Sequence, residues 1–519
     1  MKTLIAVAVT ALLAAGFALA LMLWGRWSRG RALNAAQRVL KNSGFSLLSQ
    51  FAIKALDFLF ALYMLRALGA SGAGQYRYAV LVWLLLKTFT DFGLGTRVTQ
   101  EIAAHPDEPE HAGVLLGRAT LLRLVLLAAF ALPFALYLAL SLATGGIGQV
   151  EALTVAVLAL SIVPTTYTDS ATSVFNGQER FEIPAAVAML GALIGLALRV
   201  AVLVMGWGPV GLALVALIAN VLTGIPIALI VRRLGVQPVW SLSVGAARAL
   251  LRAGWPLLVN ALLASLFFQV DIIILRPLKG EAAVGLYGVS YQIINTLLIV
   301  SSTFTLALFP QLTRQATGDR AALARTYALA LRVLLLIALP AATAITLLAS
   351  ALVRLIAGAG FLPGAADALR LTIWLLPFSF VNGVTQYVLI ALGLQRRMTW
   401  AFAVTVAFNV AANLVFVPMF SYRASAVISV LSEVVLLVPF AVWVGQALGP
   451  VSLPRLSWQP GVASVALALS AWAVGWRLGS GAWTGVTVGA VVYVAVLLAL
   501  GTFGPQERAL ARRLVGSRQ

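Results

Sequence analysis

The sequence predicts an all-α polytopic membrane protein with two six-helix lobes arranged as parallel repeats, one extra helix before them and two after. Composition is the first reason. The chain of 519 residues is 61% hydrophobic and only 10% charged, with a mean hydropathy of +1.00, outside the range of soluble domains. The second is that apolar runs long enough to cross a hydrocarbon core recur from end to end. The third is an internal repeat. At an offset of 210, Gly44-Phe-Ser-Leu-Leu-Ser-Gln50 is echoed by Gly254-Trp-Pro-Leu-Leu-Val-Asn260, and Leu65-Arg66 by Leu275-Arg276. After a one-residue slip, Gly74-Gln-Tyr76 is echoed by Gly285-Leu-Tyr287. A duplicated helix followed by the same turn marks a duplicated transporter half.

The first apolar run, 4–24, is followed by Arg26, Arg29, Arg31, Arg38 and Lys41. Bases there resist translocation, so region 1–30 reads as an uncleaved transmembrane helix, with a misassigned start codon as the alternative. The N-lobe, 42–235, holds runs at 46–66, 78–95, 119–142, 151–172, 184–205 and 209–231. The C-lobe, 248–449, holds runs at 254–275, 284–309, 328–352, 367–392, 399–419 and 424–446. Two additional helices lie within 458–503, and 504–519 is a basic cytoplasmic tail. An even number of crossings per half makes both halves enter from the same side, so the repeats are parallel.

Charge tests this topology. Under it, 24 of the 36 Lys and Arg residues fall on one side, nine on the other and three within helices. The richer side is the cytoplasm. The formal charge of +20 therefore mainly sets orientation, and no nucleic-acid partner is expected. The absence of cysteine excludes disulfides, thiolate metal sites and a cysteine nucleophile. His105 and His111, the only histidines, share a short polar loop with Asp107, Glu108 and Glu110. That loop reads as solvated and no metal site is assigned; a metal clip is the alternative. No GxxxxGK[ST] loop, HExxH motif or Ser/His/acid set occurs at membrane depth, so no catalytic residue and no cofactor is expected.

Polar side chains at membrane depth are costly unless they face a cavity or each other, so their spacing marks wet faces. Ser46, Gln50, Lys54 and Asp57 share one face of the opening helix, and Lys87 and Asp91 one face of the next. Ser161, Thr165 and Asp169 extend the pattern. The second half adds Asn260 and Asp271, then Tyr287, Tyr291, Asn295 and Ser302, then Ser379, Asn382 and Gln386, then Thr405, Asn409 and Asn413. Each has a plainer reading as interhelical glue at about 0.6 kcal/mol per hydrogen bond. Lys54 with Asp57 and Lys87 with Asp91 also read as neutralised pairs. Arg199, near the outer end of its helix, can snorkel, and Glu433 stands alone in its helix.

The phrase LLSQFAIKALDFLFALYMLRALGASGAGQYRYAV, then DFGLGTRVTQ, then FNGQERFEIPAAV resembles the polysaccharide (lipid-linked oligosaccharide) flippases of the multidrug/oligosaccharidyl-lipid/polysaccharide exporter superfamily. Gly393-Leu-Gln-Arg396 echoes Gly177-Gln-Glu-Arg180, and the likeness spans 42–449. The resemblance implies a V-shaped bundle in the bacterial cytoplasmic membrane that flips undecaprenyl-diphosphate-linked oligosaccharide by alternating access. It also implies a monomer whose partners are the lipid-linked substrate, membrane lipids and polysaccharide polymerase and export machinery. On that reading Lys54, Arg66, Lys87, Arg97 and Arg276 bind diphosphate. Gln50, Tyr291, Asn295, Asn382 and Gln386 contact diphosphate or sugar. Asp57, Asp271, Asp91 and Asp169 couple transport to Na+ or H+. The rival readings are a cation-coupled drug antiporter or a lipid II flippase of the same fold, a membrane-embedded polysaccharide polymerase or ligase, and a scaffold for glycosyltransferases.

Overall fold

A computed structural model of the protein describes residues 35–105 and 108–502. The expected helix in 1–30 and the basic tail lie outside these residues. No strand occurs among the described residues. The helices are α1 (Ala35–Asp91), α2 (Leu94–Ala104), α3 (Pro109–Ala143), α4 (Gln149–Leu160), α5 (Ile162–Gly177), α6 (Glu182–Val204) and α7 (Gly208–Arg233). They continue as α8 (Val244–Gly318), α9 (Arg320–Ile356), α10 (Gly364–Thr372), α11 (Leu375–Ala391), α12 (Gln395–Phe420), α13 (Tyr422–Leu448), α14 (Leu453–Trp472) and α15 (Ala482–Ala499). Among the described residues nine helices are long and apolar enough to cross a membrane, or ten if the bent pair α10–α11 is one span. Leu132, Val404, Met419 and Leu469 are all more than half exposed, as expected of side chains facing lipid. The chain is a multi-pass membrane protein.

The two longest helices each contain two predicted runs, and each breaks at a glycine. In α1 the break is Gly69, at φ 66° and ψ −175°; in α8 it is Gly280, at φ 80° and ψ 176°. Only a residue without a β-carbon adopts these angles at little cost. The two breaks are 211 residues apart, whereas Arg66 and Arg276 are 210 apart. The one-residue slip in the repeat therefore falls between the arginine and the glycine, and beyond it the turns stay in register.

Two runs that read as single helices are divided at matching places. The run 151–172 is split between α4 and α5 at Ser161, and the run 367–392 between α10 and α11, which are bent by 41°. Pro164 and Pro377 lie four residues beyond Leu160 and Ile373, where each lacks the N–H that would continue the helical ladder.

The fold corrects the register of one sequence echo. After α5, Glu179 takes the left-handed conformation at φ 58°, and the Arg180 amide bonds back to the Phe175 carbonyl at 2.8 Å. After α11 the left-handed residue is Gly393, at φ 75°, and the Leu394 amide bonds to the Leu389 carbonyl at 2.9 Å. Both turns are the same helix cap, so Glu179 rather than Gly177 is the counterpart of Gly393. Gly177 has another role: a β-carbon there would lie 2.6 Å from Ile102 Cβ, so it lets α5 pack closely on α2.

The chain divides into two compact units. The first takes in the described residues up to Leu68 and Gln75–Ser265; the second takes in Gly69–Gly74 and the described residues from Leu266 onward. The core of the first includes Val98, Ile102, Leu116, Phe175 and Val231 from α2, α3, α5 and α7. Within the second, α14 and α15 pack through Ala463, Leu467, Tyr493 and Leu497. The Tyr493 hydroxyl is satisfied by donating to the Leu336 carbonyl at 2.8 Å.

Candidate transport site

The first unit holds a cavity of about 520 Å³ walled by α1, α5, α6 and α7. Asp57, Tyr76, Asp169, Arg199 and Asn220, with three threonines, supply its polar lining, and Gly191 and Gly195 keep one wall low. Arg199 Nη1 lies 3.2 Å from Asp57 Oδ1, Nε donates to the Gly195 carbonyl at 3.2 Å, and the guanidinium stacks 4.9 Å from the Phe60 ring centroid. Arg199 therefore turns into the cavity rather than snorkelling outward. Asp169 pairs with Lys87 at 3.0 Å, both about a third exposed, and Lys87 also sits 5.5 Å from the Trp83 ring centroid.

A third pair lies deeper. Arg123 is 2% exposed and meets Asp91 Oδ1 at 2.5 Å through Nη2 and at 3.2 Å through Nε. Its Nη1 donates to the Ser170 hydroxyl. A buried guanidinium needs this degree of satisfaction, since an unpaired charge in that setting is strongly unfavourable.

These contacts correct both sequence-expected ion pairs. Asp57 pairs with Arg199, not with Lys54; Lys87 pairs with Asp169 and Asp91 with Arg123, so Lys87 and Asp91 are not partners. Side chains on one helix face are neighbours, but each carboxylate finds a better partner on another helix. Lys54 is exposed and forms no ion pair among the described residues.

The second unit carries a buried polar network. Asp271, 2% exposed, accepts hydrogen bonds from the Tyr287 hydroxyl, from the Ile272 amide at 2.9 Å and from the Ser429 hydroxyl at 3.3 Å. Tyr291 donates to Ser429 at 3.2 Å. Alongside, the Asn382 amide donates to Glu433 Oε2 at 2.7 Å and to the Glu433 carbonyl at 2.8 Å. Asn409 donates to Ser432 at 2.9 Å, Asn413 to Asn409 Oδ1 at 2.7 Å, and Ser425 to Asn413 Oδ1 at 2.8 Å. A void of about 10 Å³, lined by Phe267, Phe268, Tyr291, Ser429, Ser432 and Glu433, matches a single water in size.

Of the residues singled out from sequence, Asp57 and Asp169 line the cavity, Lys87 pairs with Asp169, and Asp91 pairs with Arg123 away from the cavity lining. Asp271, Tyr291 and Asn382 join the network of the second unit. Asn295 is exposed and Gln386 half-buried. The side chain of Gln50 lies outside the described set. Arg66 is exposed on α1, while its repeat counterpart Arg276 is buried and pairs with Glu281 at 3.4 Å. Arg97 pairs with Glu101 at 2.5 Å on α2. Sequence reasoning missed Arg123, whose only signal was a base inside the run 119–142. It also missed Ser425, Ser429 and Ser432, whose spacing of four and three puts them on the same stripe logic as Asn409 and Asn413.

An all-helical, multi-pass chain with polar residues gathered inside each unit is compatible with several classes of membrane protein; the comparisons place it among the transporters of the multidrug/oligosaccharidyl-lipid/polysaccharide exporter superfamily. The chain belongs to the polysaccharide biosynthesis protein family, whose model matches residues 39–315. A second model, MatE, matches residues 256–415. Among solved structures, the lipid II flippase MurJ in its inward closed conformation is similar at a TM-score of 0.69 and 12% identity, over 87% of this chain and 97% of that one. An inward-facing multidrug resistance MATE transporter is similar at a TM-score of 0.60 and 18% identity, over 76% and 94% of the two chains. A superfamily transporter from Pyrococcus furiosus, described by the reverse polarity of its binding pocket, is similar at 0.54 and 18%, over 79% and 94%. At these identities the likeness concerns the fold. Comparison with individually curated proteins gave no significant match.

Proposed function

We propose that the protein flips undecaprenyl-diphosphate-linked oligosaccharide, an O-antigen or exopolysaccharide unit, across the bacterial cytoplasmic membrane by alternating access, without making or breaking a covalent bond. The observation that supports this best is the polar cavity of the first unit, in a chain of the polysaccharide biosynthesis family. Its pairs Arg199–Asp57 and Lys87–Asp169 are partly exposed, and an exposed pair holds with only about 0–1 kcal/mol. A diphosphate offers the guanidinium a bidentate partner and the ammonium a denser charge, so it can displace either carboxylate. Lys54 is a further cation on α1 for the same ligand, with Arg66, Arg97 and Arg276 as further contacts along the route. Gln50, Tyr291, Asn295, Asn382 and Gln386 are the polar groups assigned to diphosphate or sugar.

A carboxylate released from its cation is then ready to take a proton or Na+. That exchange supplies a route from an ion gradient to substrate release, with Asp57 and Asp169 in the cavity, Asp91 beside it and Asp271 in the second unit as coupling groups. The acidic, tyrosine-lined cluster around Asp271 favours the second reading, a cation-coupled antiporter; the MurJ-like fold keeps a lipid II flippase beside it. The test is reconstitution of the purified protein in proteoliposomes. A fluorescent undecaprenyl-diphosphate oligosaccharide, fluorescent lipid II and a cationic dye are offered in parallel. Leaflet exchange of the oligosaccharide lipid above that of lipid II supports the proposal; movement of the dye alone, or of lipid II alone, overturns it.

A further inference from the structure

We propose that Glu101, His105 and His111 form a divalent transition-metal site clamping α2 to α3. The three side chains place one ligand atom each within 4.8 Å of one another. Glu101 lies in the last turn of α2 and His105 is the non-helical residue that caps it, at φ −136° and ψ 60°; His111 comes from the first turn of α3. The two imidazole centroids are 5.2 Å apart.

Two further observations point to a ligand. His111 Nε2 is buried and has no hydrogen-bond partner, although a buried ring nitrogen normally has one. His105 Nδ1 lies 3.4 Å from the Glu101 carbonyl. An N–H on that nitrogen donates to the carbonyl and leaves the Nε2 lone pair for a metal, the usual outer arrangement of a histidine ligand. A tetrahedral ion with bonds of roughly 2.0–2.1 Å holds its ligand atoms about 3.3 Å apart. Metal entry therefore requires a contraction of the cluster, which rotation of exposed His105 can supply.

Two imidazoles and one carboxylate suit zinc, cobalt, nickel or copper, and disfavour calcium and magnesium, which take oxygen donors. Three protein ligands leave a fourth position for water. Glu101 Oε2 already holds Arg97 at 2.5 Å, so the metal and Arg97 compete for one carboxylate. Occupancy thereby loosens a cation on the helix that runs to the loop expected at the cytoplasmic face.

The experiment uses full-length protein in detergent, freed of any histidine tag and of metal. Titration with Co2+ is followed by its d–d absorption, and Zn2+ is then added as competitor. The expected result is a saturable cobalt band displaced by Zn2+, with affinity falling roughly 10–100-fold in His111→Ala and His105→Ala. Arg97→Gln should tighten binding several-fold by removing the competitor. Size-exclusion profiles of each variant report whether it still folds. The absence of a cobalt band in the native protein, or an equal band in the His105→Ala/His111→Ala double variant, overturns the site.

Discussion

Arg123 and Asp91 form a deeply held ion pair of the first unit: Nη2 of the one lies 2.5 Å from Oδ1 of the other, and the arginine is 2% exposed. The pair joins α3 to the end of α1 beside Gly95, where an added β-carbon would meet both partners at 3.4–3.5 Å. Removing one member of a buried pair costs about 3–5 kcal/mol, whereas replacing both by apolar groups is often neutral. Because Asp91 is about a third exposed, Asp91→Ala should cost near the lower limit, about 3 kcal/mol. Thermal unfolding in detergent should show a large fall for the single variant. Asp91→Leu/Arg123→Met should recover most of it; a double variant as unstable as the single would show that the pair itself is not the source.

A second stability prediction concerns the repeated turns. A β-carbon on Gly74 would lie 1.8 Å from the Glu281 carbonyl oxygen, and one on Gly285 1.9 Å from the Ala70 carbonyl oxygen. Residues 70 and 74 match 281 and 285 in the repeat, so the two contacts are reciprocal. Backbone oxygens cannot rotate away as side chains do. Gly74→Ala and Gly285→Ala should each destabilise by about 1–3 kcal/mol. Gly445→Ala, with nothing within 4 Å, is the control. Equal melting temperatures for all three would sink this account.

Lys54 tests the diphosphate assignment. It is exposed and carries no ion pair among the described residues, so its substitution strands no buried carboxylate. A charged hydrogen bond contributes about 1.5–3 kcal/mol, so Lys54→Ala should slow flipping by roughly 10–100-fold while Lys54→Arg retains part of the rate. Polymer export in a flippase-deficient strain gives the readout. Equal export by all three proteins removes Lys54 from the site.

Asp271 tests the coupling assignment. In Asp271→Asn the amide keeps the shape and loses the charge, so Tyr287 and Ser429 retain a polar neighbour. Flipping by this variant in vesicles should no longer respond to an imposed proton or sodium gradient, while downhill exchange persists. A gradient response identical to that of the native protein would dismiss Asp271 as a coupling group.

Much of the helical plan was legible because it depends on local composition. A run of about twenty apolar residues has only one stable form in lipid, where each backbone group must be bonded within its own helix. The repeat was legible in Gly44–Gln50, Leu65-Arg66 and Gly74–Tyr76 and their echoes, whereas the breaks at Gly69 and Gly280, with φ 66° and 80°, emerged only from the fold. Less could be read of the site. Helical spacing correctly put Asp57 and Asp169 on polar faces, but it paired Asp57 with Lys54 and Lys87 with Asp91. Arg123 gave almost no signal, because one base at the edge of an apolar run looks like a loop residue until Asp91 and Ser170 are brought to it.

The sequence by itself determined that the chain is an all-α, multi-pass membrane protein and which helix faces carry polar residues. Each of these follows from side-chain chemistry within one or two helical turns. Only the tertiary structure decided the partners: Arg199 for Asp57, Asp169 for Lys87, Tyr287 and Ser429 for Asp271, and His111 for the Glu101–His105 face. Spacing along a helix constrains angle but not which neighbouring helix approaches. For buried Asp271 desolvation makes any looser arrangement costly, whereas the partly exposed pairs Arg199–Asp57 and Lys87–Asp169 are set by which helix packs beside which.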